Sequence, residues 1–258
     1  EAKLANAVLL KKIFDVVNKD VVSDAPFACS ARSMSFQSMD SSRVALVSLR
    51  MERGLFSTYR CDSNAEWTLP LSSLTTALHF SSSQDSVSIK YEGGDYATLE
   101  FRDHEQEKRQ EVRVKVKETD AENVGISTQE YSLTVQMGAD ELQKTLRDLG
   151  TLGDAVNITA NKAGVTFSAK GDTASARVHY AHTGEGGDQR YPVTVKCKED
   201  VNENFSLKYL NKFARAASIS DTVTLSLSND TPLRMEYSIE DNGYLRFYLS
   251  SRIDDEDM

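Results

Sequence analysis

Few side chains in this sequence are spaced in a way that supports catalysis. His179 and His182, in "VHYAH", are three apart in a predicted strand, so they point to opposite faces and cannot easily share a metal ion. Cys61, in "YRCD", has no histidine placed to activate its thiol. No Gly-rich phosphate loop, nucleophile elbow or H-E-x-x-H is present, and no spaced pair of acids stands out. The sequence therefore predicts no enzymatic activity, no metal site and no cofactor.

Cationic side chains show a clearer pattern, on segments with helical periodicity. In residues 206–217, the positions Lys208, Asn211, Lys212 and Arg215 form one stripe opposite the leucines. Comparable segments carry Lys11, Lys12 and Lys19 in 7–22 and Lys144 and Arg147 in 139–150, whereas 71–80 offers Thr75, Thr76 and His79. Although the net charge is −9, cations gathered on equivalent helices favour binding of a polyanion through its phosphates, without reading of sequence.

Those helical segments belong to an internal repeat. Strand-like copies of Asp-x-Val-x-Ile/Leu begin at residues 85, 154 and 221, and a weaker copy, "DAPFACS", begins at 24. Each copy follows a helical segment and precedes a turn and another strand. The sequence predicts an α+β fold of two similar domains, each with two helices packed on antiparallel sheets. The alternating "EVRVKVK", residues 111–117, is predicted to lie at a sheet edge.

Length and composition set the outer limits. The 258 residues suffice for two domains, predicted at 1–117 and at 134–258 including an acidic tail. The polar, acidic stretch 118–133 is predicted to be the loop that connects them. No apolar run approaches the roughly 18 residues of a membrane span. The three cysteines are far apart in the sequence, which argues against a disulfide framework and favours a reducing compartment.

Several longer motifs carry a family resemblance. The stretches "QSMDSSRVALVSL", "RDLGTLGDAV", "KYLNKF" and "DTPLRMEYSI", in this order along the whole chain, resemble the eukaryotic DNA sliding clamps of the proliferating cell nuclear antigen family. The resemblance implies a nuclear homotrimer, a ring with pseudo-six-fold symmetry that encircles duplex DNA and tethers the replicative polymerase as a processivity factor. It also implies a role in DNA replication and repair without catalysis.

The resemblance further implies an apolar pocket for partner peptides of the form Gln-x-x-aliphatic-x-x-aromatic-aromatic, carried by DNA polymerase, the clamp loader, flap nuclease, DNA ligase and other proteins. The implied pocket residues are Met39, Arg43, Val44, Leu46, Val124, Ile126, Gln129, Tyr131, Pro232, Tyr248, Ser250 and Ile253. Arg43, Ser127 and the pair Ser250 and Ser251 depart from the usual family residues at the pocket rim. We therefore expect altered peptide preferences.

Other positions match family roles outside the pocket. The implied DNA-facing residues are Lys11, Lys12, Lys19, His79, Lys144, Arg147, Lys208, Lys212 and Arg215. Lys162, in "ANKAGV", matches the ubiquitin-acceptor lysine. Ring contacts in the family join a strand matching about 107–115 of one subunit to a strand matching about 173–181 of the next.

Two other classes of function compete with this interpretation. A checkpoint-type clamp subunit, or a scaffold of the same fold, would assemble with different chains, so the mass of the assembly separates it from a homotrimer. An acidic hydrolase would need paired carboxylates in a cleft, and the sequence offers none.

Overall fold

The computed structural model describes residues 1–18, 20–105, 107–118, 130–184 and 192–252. The chain divides into two compact units. The first comprises Glu1–Gly125 and Ser238–Leu245, and the second comprises Ile126–Tyr237 and Arg246–Met258. The first unit thus includes a segment that comes more than a hundred residues later in the chain.

The first unit has two α-helices among its described residues, α1 (Val8–Val16) and α2 (Leu71–Leu78). One antiparallel sheet has the strand order β5-β1-β7-β8-β9, and the strands β4-β3-β2-β6 follow one another in a second sheet. The strands are β1 (Ala2–Leu4), β2 (Asp24–Cys29), β3 (Ser33–Met39), β4 (Ala45–Glu52), β5 (Thr58–Tyr59), β6 (Ala65–Pro70), β7 (Ser86–Lys90), β8 (Tyr96–Arg102) and β9 (Arg109–Lys115).

The second unit repeats this design with α3 (Ala139–Leu149) and α4 (Leu207–Phe213), the latter continued by a 3-10 helix, Ala214–Ser218. Its strands follow the orders β13-β12-β11-β15 and β14-β10-β16-β17. They are β10 (Leu133–Gly138), β11 (Ala155–Asn161), β12 (Gly164–Lys170), β13 (Ser175–Ala181), β14 (Thr194–Cys197), β15 (Val201–Ser206), β16 (Thr222–Leu227) and β17 (Leu233–Ser238), with β18 (Gly243–Leu249) entering this unit at Arg246.

The hydrogen bonds at the helix starts confirm the internal repeat. In the first unit, the N–H of Ala7, just before α1, donates to the carbonyl of Asp85, and that of Leu71 in α2 donates to Ser23, at 2.8 and 2.9 Å. In the second unit, Ala139 in α3 donates to Asp221 and Leu207 in α4 donates to Asp154, at 2.8 and 2.9 Å. Each helix start is therefore satisfied by the carbonyl of the residue immediately before a strand, and that strand follows the other helix of the same unit.

The predicted apolar faces of the helices form the core. Leu10 and Phe14 of α1, Leu74 of α2, Leu146 of α3 and Leu210 of α4 are all buried. Burial of these faces, rather than helix propensity, supplies most of the stability of such short helices. Aromatic rings complete the first unit's core, where Phe14 and Phe36 stack at 6.3 Å between ring centroids.

Two predicted helices end earlier than the sequence suggests. The segment 7–22 is helical only to Val16, after which Asn18 accepts the N–H of Asp20 through its side chain at 2.9 Å. This local bond competes with helix continuation, so the prediction for the end of the segment was wrong. In the segment 206–217, α-helix gives way to 3-10 geometry after Phe213.

Glu100, on β8, is a buried acid surrounded by cations. Its side chain is 4% exposed, and it lies 2.8 Å from Arg109 and 3.5 Å from Lys90, while Arg102 also donates to it. Burial acts to raise the pKa of Glu100, but the Arg102 hydrogen bond and the three positive charges outweigh it and lower the pKa. A carboxyl whose folded pKa is lowered stabilises the fold above its unfolded pKa, and this contribution is lost as the pH falls through the folded pKa.

The Glu100→Gln variant is therefore expected to lose about 1–3 kcal/mol of unfolding free energy at neutral pH, because three cations lose their charged acceptor. The difference from the wild type should shrink in acid, and urea unfolding at several pH values measures it. Glu111→Gln is the matched control, since the Glu111 side chain is 49% exposed and 3.6 Å from Arg109. Equal effects of the two variants would contradict the role given to Glu100.

Candidate functional site

The cations predicted on the helices of the first unit have different environments. Lys12 is exposed, whereas Lys11 is half-buried and its ammonium donates to the carbonyl of Ser81, just beyond α2. His79, the capping residue directly after α2, is exposed. Lys19 lies outside the described residues. One ammonium hydrogen of Lys11 therefore has a structural partner, which the sequence did not indicate.

The helices of the second unit form a connected pair. Gln143 of α3 donates to the carbonyl of Ala214 at 3.0 Å, and Asn211 of α4 donates to the carbonyl of Leu146 at 3.2 Å. The prediction that Asn211 belongs to a solvent-facing stripe was wrong, because this bond turns its amide toward α3. These two hydrogen bonds hold α3 and the α4 segment side by side.

The cations of this helix pair remain on its solvent side. Lys144 and Arg147 of α3 and Lys208 and Arg215 of the α4 segment are exposed, and Lys212 is half-buried with its ammonium 5.8 Å from the ring centroid of Tyr209. We call Lys144, Arg147, Lys208, Lys212 and Arg215 the cationic helix surface. Such a surface attracts phosphate oxygens and offers no groove-reading element.

A second candidate element is the loop Met39–Leu46, which the structure builds around Asp40. The Asp40 carboxylate is buried and accepts the backbone N–H groups of Ser42, Val44 and Ala45 at 3.2, 2.9 and 2.8 Å. Arg43 adopts the left-handed region at φ 59°. Asp40 is the residue that holds this loop, and the sequence analysis did not single it out.

The loop divides the predicted pocket residues of the first unit into two kinds. Val44 is 36% exposed, Arg43 is exposed and Met39 is half-buried, so these side chains contribute to the surface of the unit. Leu46 is only 6% exposed and belongs to the core. Its truncation therefore affects the stability of the unit as well as any surface next to it.

In the second unit, the predicted pocket residue Tyr131 contacts the turn and second strand of the β16–β17 hairpin. Its hydroxyl donates to the carbonyl of Pro232 at 3.2 Å, and the guanidinium of Arg234 lies 4.9 Å from its ring centroid. Burial raises the pKa of the Tyr131 phenol, which therefore stays a neutral donor at physiological pH. Arg234 was missed from the sequence, because its cation–π contact requires the hairpin of β16 and β17.

The structure describes only some of the remaining predicted pocket residues. Pro232 and Ser250 are exposed, and Tyr248 and Ser251 are half-buried. Val124, Ile126, Ser127, Gln129 and Ile253 lie outside the described residues, as does most of the predicted connecting loop 118–133.

Groups that often mark catalysis have ordinary partners. His179 Nδ1 lies 2.9 Å from the hydroxyl of Thr166, and His182 Nδ1 accepts the N–H of Val195 at 3.0 Å. Cys29, Cys61 and Cys197 are free thiols in the structure, and all three are half-buried. Across the described ranges, no three potential ligands gather as a metal site would require. Within the same ranges, no helix has the length and apolarity needed to cross a membrane.

Comparison with known proteins assigns both halves of the chain. Residues 1–124 match the model of the proliferating cell nuclear antigen N-terminal domain, and residues 125–252 match that of its C-terminal domain. A relative from Caenorhabditis elegans named proliferating cell nuclear antigen is 49% identical over 259 residues, covering 100% of this chain and 98% of that protein.

The chain belongs to the proliferating cell nuclear antigen family.

Membership in this family confirms the α+β clamp fold predicted from the sequence. Members are DNA sliding clamps that act in replication and repair as non-enzymatic processivity factors, and a three-subunit ring is their known state. The chain is accordingly a sliding clamp rather than an enzyme.

Of the strands that end a sheet within the described residues, β9 and β13 lie in the ranges that the family resemblance assigns to ring contacts. β9 ends the five-stranded sheet of the first unit, as predicted for "EVRVKVK", and β13 ends a four-stranded sheet of the second. Beside β9, the side chain of Phe80 is 54% exposed. With its amide nitrogen turned toward the helix, Gln110 of β9 donates to the Phe80 carbonyl at 2.7 Å. An exposed aromatic beside an open strand edge is typical of an interaction surface.

Proposed function

We propose that three copies of this chain close into a nuclear ring around duplex DNA, which tethers the replicative polymerase and raises its processivity. The observation that carries the proposal is the cationic helix surface, five cations on two neighbouring helices of a chain with net charge −9. Lys11, Lys12, Lys19 and His79 are proposed to add to the DNA-facing surface from the first unit.

The mechanism of such a clamp is topological. A closed ring remains on DNA without tight binding, so screened contacts between the cations and phosphates suffice, and the ring slides with the polymerase. The sequence contains no Gly-rich phosphate-binding loop, and loading is proposed to depend on a separate clamp loader.

Ring closure is proposed to occur by antiparallel pairing of β9 of one copy with β13 of the next. Pairing satisfies the open backbone groups of both edges. Side chains alternate along β9, so Val112 lies on the same face of the sheet as the buried Val114. On β13, Val178 likewise lies on the same face as the buried Tyr180. Both Val112 and Val178 are half-buried. We propose that these valines, together with Phe80, form the apolar part of the contact.

A combined assay of mass and retention tests this function. We expect a mass near three times 28.7 kDa in sedimentation, and loaded clamps that stay on circular DNA but leave linear DNA from its ends. Phe80→Ser should shift the mass toward a single chain, whereas Ser82→Ala, at a nearby exposed position, should not. A ring that forms only with a different clamp chain would instead support the checkpoint-type subunit. Equal retention on circular and linear DNA would contradict encirclement.

We also propose that the clamp recruits polymerase, clamp loader, flap nuclease and ligase through a Gln-x-x-aliphatic-x-x-aromatic-aromatic peptide. The first unit offers Met39, Arg43 and Val44 on the loop held by Asp40, with Leu46 beneath it. The second offers Tyr131, Pro232, Tyr248 and Ser250, and the same proposal includes Val124, Ile126, Gln129 and Ile253. The stretch 118–133 is proposed as the connecting loop between domains 1–117 and 134–258.

Calorimetric titration with a Gln-x-x-Ile-x-x-Phe-Phe peptide tests the recruitment site. We expect one peptide per chain, and a Val44→Asp variant should bind roughly tenfold more weakly, because a charge would replace an exposed apolar contact. Ser41→Asp is the control, since Ser41 is exposed on the same loop. Unchanged affinity of Val44→Asp would remove this loop from the site. Lys162, exposed in the turn after β11, is proposed separately as a ubiquitin acceptor.

A further inference from the structure

The first unit contains a cavity that neither DNA nor a recruited peptide uses in the proposed function. Its volume is about 680 Å³, and it lies between the ends of several strands, away from the loop Met39–Leu46. Sulfur atoms and aromatic rings dominate part of its wall, which includes Cys29, Met34, Cys61, Trp67 and Tyr91. Two of the chain's three cysteines thus line one cavity.

The local fold brings these two cysteines together. Cys29 ends β2 and pairs with Ala65 of β6, and Cys61 lies only four residues before Ala65. The hydroxyl of Tyr59, two residues before Cys61, donates at 2.8 Å to the carbonyl of Ser30, the residue after Cys29. The segments that carry the two thiols are therefore joined on both sides, by a strand pair and by a hydrogen bond.

Cys29 is the buried thiol of this pair, and its burial affects its protonation. Burial raises the pKa of Cys29 to about 11, a hydrogen bond from Trp67 opposes this rise, and the neighbouring Cys61 adds to it. At neutral pH the Cys29 thiol is thus protonated and a poor nucleophile, so Cys29 is assigned the second step of an oxidation and Cys61 the first. The electrostatic influence of Cys61 on Cys29 agrees with the common place of the two residues in the cavity wall. Since the described residues hold no group of three ligands, metal coordination is a weaker use of this pair.

We propose that Cys29 and Cys61 are a redox pair, a modification site that peroxide converts to a disulfide across the cavity. The Cys61 thiolate attacks one oxygen of hydrogen peroxide, forming an S–O bond and breaking the O–O bond, and hydroxide leaves. The Cys29 sulfur then attacks the sulfenic acid. An S–S bond forms, the S–O bond breaks, and the departing hydroxyl leaves as water with the proton of the Cys29 thiol. Two electrons pass from the sulfurs to one peroxide.

The test uses the complete chain, treated with one equivalent of hydrogen peroxide and analysed by mass spectrometry and thiol counting. We expect the wild type to lose two of its three thiols and two hydrogen atoms of mass, without covalent dimers. Cys197→Ser, the matched control in the second unit, should lose both remaining thiols. Cys29→Ser should instead accumulate a sulfenic acid at Cys61 that dimedone traps. Because the Cys29 thiol must give up its proton in this step, disulfide formation should accelerate as the pH rises toward 11 and more of Cys29 is already deprotonated.

Two results would overturn the proposal. One is dimedone labelling of Cys61 in the wild type equal to that in Cys29→Ser, since Cys29 would then not resolve the intermediate. The other is a peptide map in which the oxidised wild type joins Cys197 to either cysteine of the first unit. Both readouts are independent of DNA and of peptide binding, so they are unaffected by the outcome of the clamp assays.

Discussion

Asp40→Ala is expected to lower the unfolding free energy by about 2–4 kcal/mol, because three backbone N–H groups lose their acceptor and that of Ala45 is buried. The same change should weaken binding of a Gln-x-x-Ile-x-x-Phe-Phe peptide roughly tenfold, since Arg43 and Val44 lose the geometry that the carboxylate imposes. Urea unfolding gives the first quantity and calorimetry the second.

The Asp40→Asn variant separates the two effects. Its amide oxygen can still accept from Val44 and Ala45, while its amide nitrogen replaces the oxygen that accepts from Ser42 at 3.2 Å. We therefore expect most of the peptide affinity to return, together with part of the stability. Ser41→Ala should leave both quantities unchanged. Full peptide affinity in a folded Asp40→Ala clamp would show that Asp40 stabilises the unit without positioning the loop for a partner.

Simultaneous replacement of Lys208, Lys212 and Arg215 by Ala is expected to reduce clamp-dependent processivity on primed circular DNA roughly tenfold at physiological salt. Each lost phosphate contact removes about 0.9 from the slope of log affinity against log salt concentration, so the salt dependence of clamp residence on DNA should also become shallower. The ring should remain assembled, because these residues lie on the α4 segment and not on β9 or β13.

A matched variant controls for net charge. Lys170, Lys196 and Lys198 are exposed in the same unit, at the end of β12, within β14 and just after β14. Their replacement by Ala removes the same three charges away from the helices. We expect processivity close to that of the wild type. Equal losses of processivity in the two triple variants would attribute the effect to overall charge. Wild-type processivity of the variant with Lys208, Lys212 and Arg215 replaced would refute the DNA-facing assignment.

Much of the fold was predictable because its signals are local. Helical periodicity placed Leu10, Leu74 and Leu146 in the core, and alternation placed "EVRVKVK" at a sheet edge. The Asp residues that open the repeated strands also proved informative, since the carbonyls of Asp85, Asp154 and Asp221 each accept a helix-start N–H. These features depend on residue spacing along one element, which a sequence displays directly.

The candidate site was predictable only in part. The spacing of Lys208, Lys212 and Arg215 indicated a cationic face, but the same periodicity assigned Asn211 to it. The amide of Asn211 instead satisfies the Leu146 carbonyl of the neighbouring helix. Helical spacing reports which side of a helix a residue occupies, and it does not report where a second helix will pack against that side.

The sequence by itself determined the internal repeat, the helical segments, the edge position of β9 and the family to which the chain belongs. Only the tertiary structure decided that Ser238–Leu245 joins the first unit, that Asp40 holds the loop carrying Val44, and that Cys29 and Cys61 line one cavity. The first and third depend on contacts between segments distant in the chain, which arise only when the strands pair in one register. The Asp40 bonds are local, to Ser42, Val44 and Ala45, but they lie in a turn whose geometry is set by the pairing of Met39 with Leu46 across β3 and β4.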